Sequence, residues 1–196
     1  MEWRRREDWG ARPPKAPFTS LNPDRVNSIY LHHTTGEGRA DSAAWIKAIQ
    51  KFHQDDRGWN DIGYCWLVDR YGVIWEGRGN VVGAHTGGYN SVSLGVAFLG
   101  DGAKPVPPEA LRSIKYLIEN LSRNFPIRQV AGHRNVGRTA CPGDWLYGWL
   151  LGGMPVEEPV PLPEPKKPAP PAEAYQSPVP DLRKGWRRLG RLRGWR

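Results

Sequence analysis

The chain has 196 residues, of which 39% are hydrophobic and 24% charged, which is typical of a globular protein with one good core. No run of about eighteen apolar residues is present, which excludes a membrane-spanning helix. The arginines near the N-terminus have no apolar stretch behind them, so we expect no secretory signal and a product that stays in the cytoplasm of its cell. The net charge of +8 is uneven, with +6 in residues 181–196, −2 in residues 154–180 and +4 in the rest.

The first half of the chain predicts a strand, a helix and a hairpin. Residues 26–31 are rich in β-branched and aromatic side chains, and they predict a strand that delivers His32 at its end. Asp41 and Ser42 cap a predicted helix whose apolar positions recur at i, i+3, i+4 and i+7, namely Trp45, Ala48, Ile49 and Phe52. Residues 63–69 and 73–76 predict a hairpin across an intervening turn.

The second half continues with alternating strands and helices. Residues 93–99 predict a buried strand, and a helix runs from Pro107 to about Asn124 with one apolar face formed by Leu111, Ile114, Leu117, Ile118 and Leu121. Residues 127–131 predict a strand that presents His133 at its exit. The whole pattern predicts an α/β fold with a central mixed β-sheet flanked by α-helices.

Three side chains of the sequence are suitable ligands for a metal ion. His32, His133 and Cys141 supply two imidazoles and a thiolate, the donors of a catalytic zinc site with one open coordination position. Spacing alone leaves core histidines and a small buried cysteine open as alternatives. A reducing compartment suits the chain because oxidation would remove the thiolate, and strand alternation predicts that Cys65 faces away from the site.

Several ordered motifs surround these residues. They are REDWGAR at 6–12, IYLHHT at 29–34, RGWNDIGY at 57–64, WLVDRYGVIWEGRG at 66–79, VGAHTGGYN at 82–90, SLGVAFLG at 93–100, GHR at 132–134 and TACPG at 139–143. In this order they closely resemble the peptidoglycan recognition protein and zinc N-acetylmuramoyl-L-alanine amidase family. The resemblance covers residues 3–151 and leaves out the tail.

The resemblance implies an enzyme that uses one Zn²⁺ per chain to hydrolyse the amide bond between the lactyl group of N-acetylmuramic acid and L-alanine in peptidoglycan. It assigns the metal to His32, His133 and Cys141 rather than to the neighbouring His33. It places Tyr64 beside the metal, where the phenol can hydrogen-bond the attacking water or the oxyanion. Thr139 stands where some members carry lysine, so it can hydrogen-bond the intermediate but supplies no positive charge.

Further side chains of the same motifs are candidates for binding the glycan and the stem peptide, because indoles suit sugar faces and arginine suits carboxylates. They are Trp66, Trp75, Arg78, His85, Tyr89 and Asn90, and each could equally be structural. His53, at the end of the first helix, is expected to pack or to support the site rather than to be a fourth ligand.

The composition changes after the motifs end. Residues 154–180 contain ten prolines and predict a semi-stiff polyproline spacer. Residues 181–196 interleave cationic and bulky apolar side chains, which is typical of a segment that binds an anionic membrane or lipopolysaccharide; a solvated tail or a nonspecific nucleic-acid patch is the alternative. The residues expected to contact that surface are Arg183, Lys184, Trp186, Arg187, Arg188, Arg191, Arg193 and Trp195.

The sequence thus predicts a zinc amidase domain in residues 1–153, a Pro-rich linker in 154–180 and a cationic amphipathic tail in 181–196. We expect a monomeric, phage-endolysin-like enzyme, made in the host cytoplasm, that acts on the cell wall after release and has no specific nucleic-acid partner. A bacterial autolysin, a module that binds peptidoglycan without cutting it, and a membrane-active tail on an inert domain are the alternatives. Tyr64 and Cys141 favour catalysis, since noncatalytic members of the family typically lack the cysteine.

Overall fold

Short strands form one sheet at the centre of the domain. The computed structural model describes residues 1–36 and 41–156 of the chain. Its strands are β1 (Trp3–Arg4), β2 (Ser28–His33), β3 (Trp66–Val68), β4 (Ile74–Glu76), β5 (Ser93–Phe98) and β6 (Gln129–Gly132). They are ordered β1-β4-β3-β5-β2-β6 across a six-stranded sheet.

The sheet is mixed, which confirms the predicted fold class. Strands β3 and β4 form the predicted antiparallel hairpin. Strand β2 runs parallel to both of its neighbours, β5 and β6, and β3 also runs parallel to β5. The carboxyl ends of parallel strands meet at one edge of a sheet, so the residues that follow β2 and β6 come together there.

In the part of the chain that the structure describes, three α-helices flank the sheet: α1 (Ser42–Lys51), α2 (Pro108–Asn124) and α3 (Asp144–Leu151). The predicted cap of α1 is present, since the carboxylate of Asp41 accepts the backbone N–H of Ala44 at 2.9 Å. Helix α2 begins and ends where the sequence pattern predicts. Helix α3 is absent from the predicted elements because its sequence is apolar on nearly all sides and shows no helical period.

Apolar layers cover both faces of the sheet. On one face, side chains of β2 and β5 pack against α2 and α3, with members that include Ile29, Leu31, Leu94, Val96, Ile114, Leu117 and Leu146. On the other face, side chains of β3, β4 and β5 pack against α1 and the N-terminal segment, with members Trp9, Trp45, Ile46, Ile62, Leu67, Trp75, Ala97 and Leu99. Alternation along each strand divides the side chains between these layers.

The buried face of α1 differs from the predicted one. Ala48 is exposed and the side chain of Phe52 is 46% exposed, although both belong to the predicted apolar stripe. The buried face instead carries Gln50, whose amide donates to the carbonyl of Arg12 at 3.0 Å and to the carboxylate of Asp61 at 2.7 Å. A hydrogen-bonded polar side chain therefore occupies a position that hydrophobicity alone assigns to solvent.

Packing continues three residues beyond Gly153. Met154 and Val156 contact the larger apolar layer, and the indole of Trp149 donates to the carbonyl of Pro155 at 2.8 Å. The rest of the predicted linker and all eight predicted membrane-binding residues lie outside the described residues. Within residues 1–36 and 41–156, no helix has the length and apolar character needed to cross a membrane.

Candidate metal centre

Two histidines meet where neighbouring parallel strands end. Leu31 of β2 is paired with Gly132 of β6, so the next residue along each strand, His32 and His133, is brought to the same edge. The two imidazole centroids are 4.7 Å apart. His32 is 1% exposed, whereas His133 opens a short 3₁₀ turn and is partly exposed.

Cys141 reaches these histidines from the loop before α3. Its Sγ lies 3.6 Å from Nδ1 of His32 and accepts the backbone N–H of His33 at 3.4 Å. Its own backbone N–H donates to the hydroxyl of Thr139 at 3.1 Å, which fixes the loop. One donor atom from each of His32, His133 and Cys141 lies within 4.8 Å of the other two. The structure therefore gathers the three side chains that the sequence predicts as metal ligands.

The chemistry of these donors fits Zn²⁺. Tetrahedral zinc with Zn–N and Zn–S bonds of about 2.0 and 2.3 Å separates its nitrogen and sulfur ligands by about 3.5 Å, close to the 3.6 Å between His32 and Cys141. Burial lowers the pKa of His32 and of His133, which keeps both imidazoles neutral and able to bind a cation. Burial also raises the pKa of the Cys141 thiol to about 11, so the thiol must lose a proton when a metal binds.

Both cysteines are free thiols, as expected. Cys65 lies in the apolar layer that packs against α2 and α3, away from His32, and burial raises its pKa to about 11. A disulfide with Cys141 is absent, so the thiolate ligand is available to a metal.

A cavity of about 450 Å³ opens beside the three donors. Tyr64 and Thr139, the residues expected to assist hydrolysis, both line it. The Tyr64 hydroxyl lies 3.5 Å from the carbonyl of His33, and its ring centroid is 5.5 Å from that of His32. Burial raises the pKa of Tyr64 well above its usual range, so its phenol keeps a proton to donate.

The three aromatic residues predicted to contact the substrate lie outside this cavity wall. Trp66 packs edge-on against Trp3, with ring centroids 5.4 Å apart, on the α2 side of the sheet. Trp75 is buried, and its indole donates to Asp69 at 2.9 Å. Tyr89 packs against Tyr30 and is 39% exposed. None of Trp66, Trp75 and Tyr89 is among the described residues that line the cavity.

Two of the three predicted polar contacts, Arg78 and Asn90, also lie outside the cavity wall. Arg78 is 8% exposed and donates to the backbone carbonyls of residues 61, 62 and 82, which is a structural role. The amide oxygen of Asn90 accepts the backbone N–H groups of both His85 and Thr86 at 2.9 Å, and so shapes the loop. Of the six predicted residues, only His85 lines the cavity.

The two remaining histidines of the cavity wall, His33 and His53, accept backbone N–H groups and are not part of the donor set. Nδ1 of His33 accepts the backbone N–H of Gly102 at 3.0 Å. Nδ1 of His53 accepts the backbone N–H of Gly63 at 3.1 Å, and its ring stacks on Trp59 with centroids 4.6 Å apart. His53 therefore has the packing role that the sequence predicts for it.

Sequence reasoning missed part of the cavity rim. After α1 the chain makes a π-helical turn, Phe52–Asp56, which turns Phe52 and His53 toward the cavity. The guanidinium of Arg57 lies 5.3 Å from the centroid of the Phe52 ring, and Trp59 completes this wall. A π turn leaves no period in the sequence, but the arginine that opens the RGWNDIGY motif and the aromatic Phe52 five residues before it were an available signal.

Known proteins share both the sequence and the fold of this chain. Residues 22–144 match the N-acetylmuramoyl-L-alanine amidase family. The chain is 37% identical over 153 residues to an N-acetylmuramoyl-L-alanine amidase of Sus scrofa, and 37% identical over 151 residues to peptidoglycan-recognition protein LB of Drosophila melanogaster. Each match covers 72% of this chain, but only 25% of the pig protein and 64% of the fly protein.

A solved structure gives the same result at the level of the fold. Peptidoglycan recognition protein LE, in complex with tracheal cytotoxin (monomeric diaminopimelic acid-type peptidoglycan), superposes with a TM-score of 0.70 at 34% identity. The similarity covers 76% of this chain and 91% of that one. The chain thus belongs to the N-acetylmuramoyl-L-alanine amidase family, together with the peptidoglycan recognition proteins.

Proposed function

We propose that this protein is a zinc-dependent N-acetylmuramoyl-L-alanine amidase, which hydrolyses the amide bond between the lactyl group of N-acetylmuramic acid and L-alanine in peptidoglycan. The observation that carries the proposal is the convergence of His32, His133 and Cys141, with Sγ 3.6 Å from Nδ1, at the wall of an open cavity. Two imidazoles and one thiolate leave a fourth position for water or substrate, as catalytic zinc sites require.

The residues around the donors suit amide hydrolysis. When bound, zinc activates a water molecule and polarises the scissile carbonyl. The protonated phenol of Tyr64 donates a hydrogen bond to the oxyanion that develops on that carbonyl. The hydroxyl of Thr139 already accepts from Cys141, so its own hydrogen is directed to the intermediate or to a bridging water. The buried imidazole of His32 stays neutral and keeps its place in the donor set.

The relatives support peptidoglycan as the substrate of this proposal. The fold is shared with a protein in complex with a monomeric peptidoglycan, and a relative is named for the amidase activity. At the rim, the guanidinium of Arg57 can pair with a carboxylate of the stem peptide, and the exposed ring of Phe52 can pack on its aliphatic part. In this proposal these two residues take the role that the sequence assigned to Trp66, Trp75 and Arg78.

The biological role we propose is lysis of the bacterial wall, as by a phage endolysin, with the enzyme made in the host cytoplasm and acting after release. Residues 181–196 carry seven Lys or Arg and two Trp, and they support binding to an anionic membrane or lipopolysaccharide. A bacterial autolysin uses the same chemistry and is distinguished by its source rather than by its site.

The experiment that tests the activity is digestion of purified sacculi by zinc-loaded protein. We expect new L-alanine amino termini to appear without new reducing sugars, because only the lactyl amide bond is cut. Cys141→Ser is the matched control, since it removes the thiolate at nearly constant shape, and it should release no amino termini. Release by the serine variant at the wild-type rate would refute the zinc mechanism.

A recognition module that binds peptidoglycan without cutting it is the second candidate, because relatives at 37% identity include a protein named for peptidoglycan recognition. It predicts that zinc-loaded wild-type protein sediments with sacculi and releases no L-alanine amino termini. The amidase predicts release together with sedimentation, so one digestion separates the two.

A further inference from the structure

The two ring nitrogens of His32 have different neighbours. Nδ1 lies 3.6 Å from Sγ of Cys141, whereas Nε2 lies 3.2 Å from Nδ1 of His85 and 3.4 Å from the hydroxyl of Thr86. A neutral imidazole carries one ring hydrogen, and a metal binds the nitrogen that lacks it. The location of that hydrogen therefore decides whether His32 can bind a metal on the side of Cys141.

The surroundings of His85 restrict the position of its side chain. It is 6% exposed, and its ring lies over Gly95 of β5 and beside Gly83, where an added Cβ would overlap the imidazole. The amide oxygen of Asn90 holds the backbone N–H of His85 at 2.9 Å. The absence of a side chain at both glycines thus leaves room for the imidazole, whose Nδ1 lies at the corner that faces His32.

The neighbour of His85 completes the arrangement. The hydroxyl of Thr86 lies 3.0 Å from Nδ1 of His85 and 3.4 Å from Nε2 of His32, so the three atoms form one hydrogen-bonded group. Nε2 of His85, at the opposite corner of the ring, has no partner among the described residues. A neutral His85 that accepts at Nδ1 carries its own hydrogen on Nε2, and the backbone of Ser93 is a further hydrogen-bonding group at this ring.

We infer that His85 is a positioning residue for the metal ligand His32. Nδ1 of His85, with the hydroxyl of Thr86, accepts the hydrogen on Nε2 of His32 and leaves Nδ1 of His32 as a lone pair directed at the metal. Residues that bind the second nitrogen of a ligating histidine commonly fix its tautomer and orientation in this way. The inference rests on the zinc site proposed above, and it gives His85 a role other than the substrate contact that the sequence predicts.

The direct test is the tautomer of His32 in the metal-free full-length protein. Nitrogen NMR of protein labelled with ¹⁵N-histidine distinguishes a protonated from an unprotonated ring nitrogen. We expect a hydrogen on Nε2 of His32 and none on Nδ1, and in His85→Ala we expect this preference to be lost. A hydrogen on Nδ1 in the wild-type protein would overturn the inference. The spectrum requires neither zinc nor hydrolysis, so it can support the inference even where the amidase activity fails.

Zinc affinity, measured by competition with a chromophoric chelator, gives a second readout. His85→Ala should weaken zinc binding about 10- to 100-fold, and His85→Asn, which retains an acceptor, should recover part of the loss. His53→Ala is the matched control, because it removes a buried imidazole of the same cavity wall whose partners are the backbone of Gly63 and the rings of Trp59 and Tyr64. Its zinc affinity should stay within about twofold of wild type.

A substitution at Thr86 keeps the test decisive where His85→Ala does not fold. Thr86→Val preserves the shape and removes the hydroxyl, so its zinc affinity should fall in the same direction. Unchanged affinity in both His85→Ala and Thr86→Val, or an equal loss in His53→Ala, would show that His85 only fills space.

Discussion

At the scale of single residues, Tyr64 is the side chain whose surroundings set its chemistry most clearly. Its phenol is half-buried at the cavity beside His32, and desolvation holds its pKa above the usual range, so it donates a hydrogen bond and does not act as a base. A donor to the oxyanion stabilises the transition state more than the bound substrate, because the charge develops during the reaction.

We therefore predict that Tyr64→Phe lowers kcat on sacculi by about 10²- to 10³-fold, the usual effect of losing one oxyanion donor. Zinc content and the binding of sacculi should be unchanged, since phenylalanine keeps the ring that packs beside His32. The measurement is the initial rate of L-alanine amino-terminus release, together with metal analysis of the same sample. Zinc loss in the variant would instead assign Tyr64 a role in shaping the metal site.

A second prediction concerns His53 and acid stability. Burial lowers its pKa from 6.5 to about 4, and its Nδ1 must remain an acceptor for the N–H of Gly63. The unfolded chain binds a proton there near pH 6.5 and the folded chain only near pH 4, so the free energy of unfolding falls as the pH falls through this window. One proton corresponds to a slope of up to about 1.4 kcal/mol per pH unit.

His53→Asn keeps an acceptor for Gly63 and removes the titrating group. Denaturant unfolding of the metal-free proteins between pH 4 and 6.5 should therefore show a shallower pH dependence for the variant than for wild type. Identical slopes would mean that His53 takes up its proton equally well in the folded state.

At the scale of elements, the loop that carries Cys141 depends on close backbone contacts. Gly143 has φ of +92°, and a Cβ there would overlap the backbone of Gly102 and Ala103 in the loop after β5. A Cβ at Gly102 would likewise overlap the carbonyl oxygen of Pro142. These contacts hold the loop that carries Cys141 close to the sheet edge that carries His32 and His133.

Gly143→Ala should lower the stability by about 2–3 kcal/mol, because alanine must adopt a positive φ and displace the neighbouring backbone. Gly148→Ala, five residues later on the exposed side of α3, meets no atom within 4 Å and should raise the stability by about 0.5–1 kcal/mol. Denaturant unfolding of both variants checks the pair. A neutral Gly143→Ala would show that the loop moves without cost.

The observed helices and strands also show which elements the sequence pattern predicts and which it does not. The hairpin β3–β4 and helix α2 follow from period-2 and period-3.6 patterns, and they form where those patterns lie. Helix α3 could not be predicted because it is apolar nearly all round, and the face of α1 was misassigned because Gln50 is buried with its hydrogen bonds satisfied. Pattern analysis detects amphipathic segments, but it does not detect buried polar networks.

Within the site, the metal donors were more predictable from the sequence than the substrate contacts. The metal donors follow from motifs that mark their positions along the chain, and strand pairing then brings His32 and His133 together. The substrate contacts were predicted from side chains of the same motifs, and Trp66, Trp75 and Arg78 lie outside the cavity wall because Trp and Arg serve the core as readily as a cavity. Trp75 and Arg78 are both 8% exposed and hydrogen-bonded within the domain.

At the scale of the whole molecule, most of the net positive charge belongs to the C-terminal end of the sequence. The last sixteen residues carry +6 of the net +8, and the described packing of the domain includes residues up to Val156. The proposed function predicts that hydrolysis and delivery are separable, with the domain responsible for the first and residues 181–196 for the second.

A chain that ends at Val156 should hydrolyse purified sacculi at the wild-type rate, because every described contact of the metal centre lies before that point. Its killing of intact Gram-negative cells should fall, since it lacks the cationic segment. Viable counts and sacculus turbidity, measured on the same preparations, test both halves of the prediction. Equal killing by the truncated and full-length chains would remove the tail from the proposed function.

The central claim is that His32, His133 and Cys141 hold one zinc ion per chain. X-ray absorption at the zinc edge of the full-length protein tests it most directly. We predict one zinc ion per chain with one sulfur ligand at about 2.3 Å and nitrogen or oxygen ligands at about 2.0–2.1 Å, and loss of the sulfur shell in Cys141→Ser. Zinc bound without sulfur, or no zinc bound by the folded protein, would contradict the account.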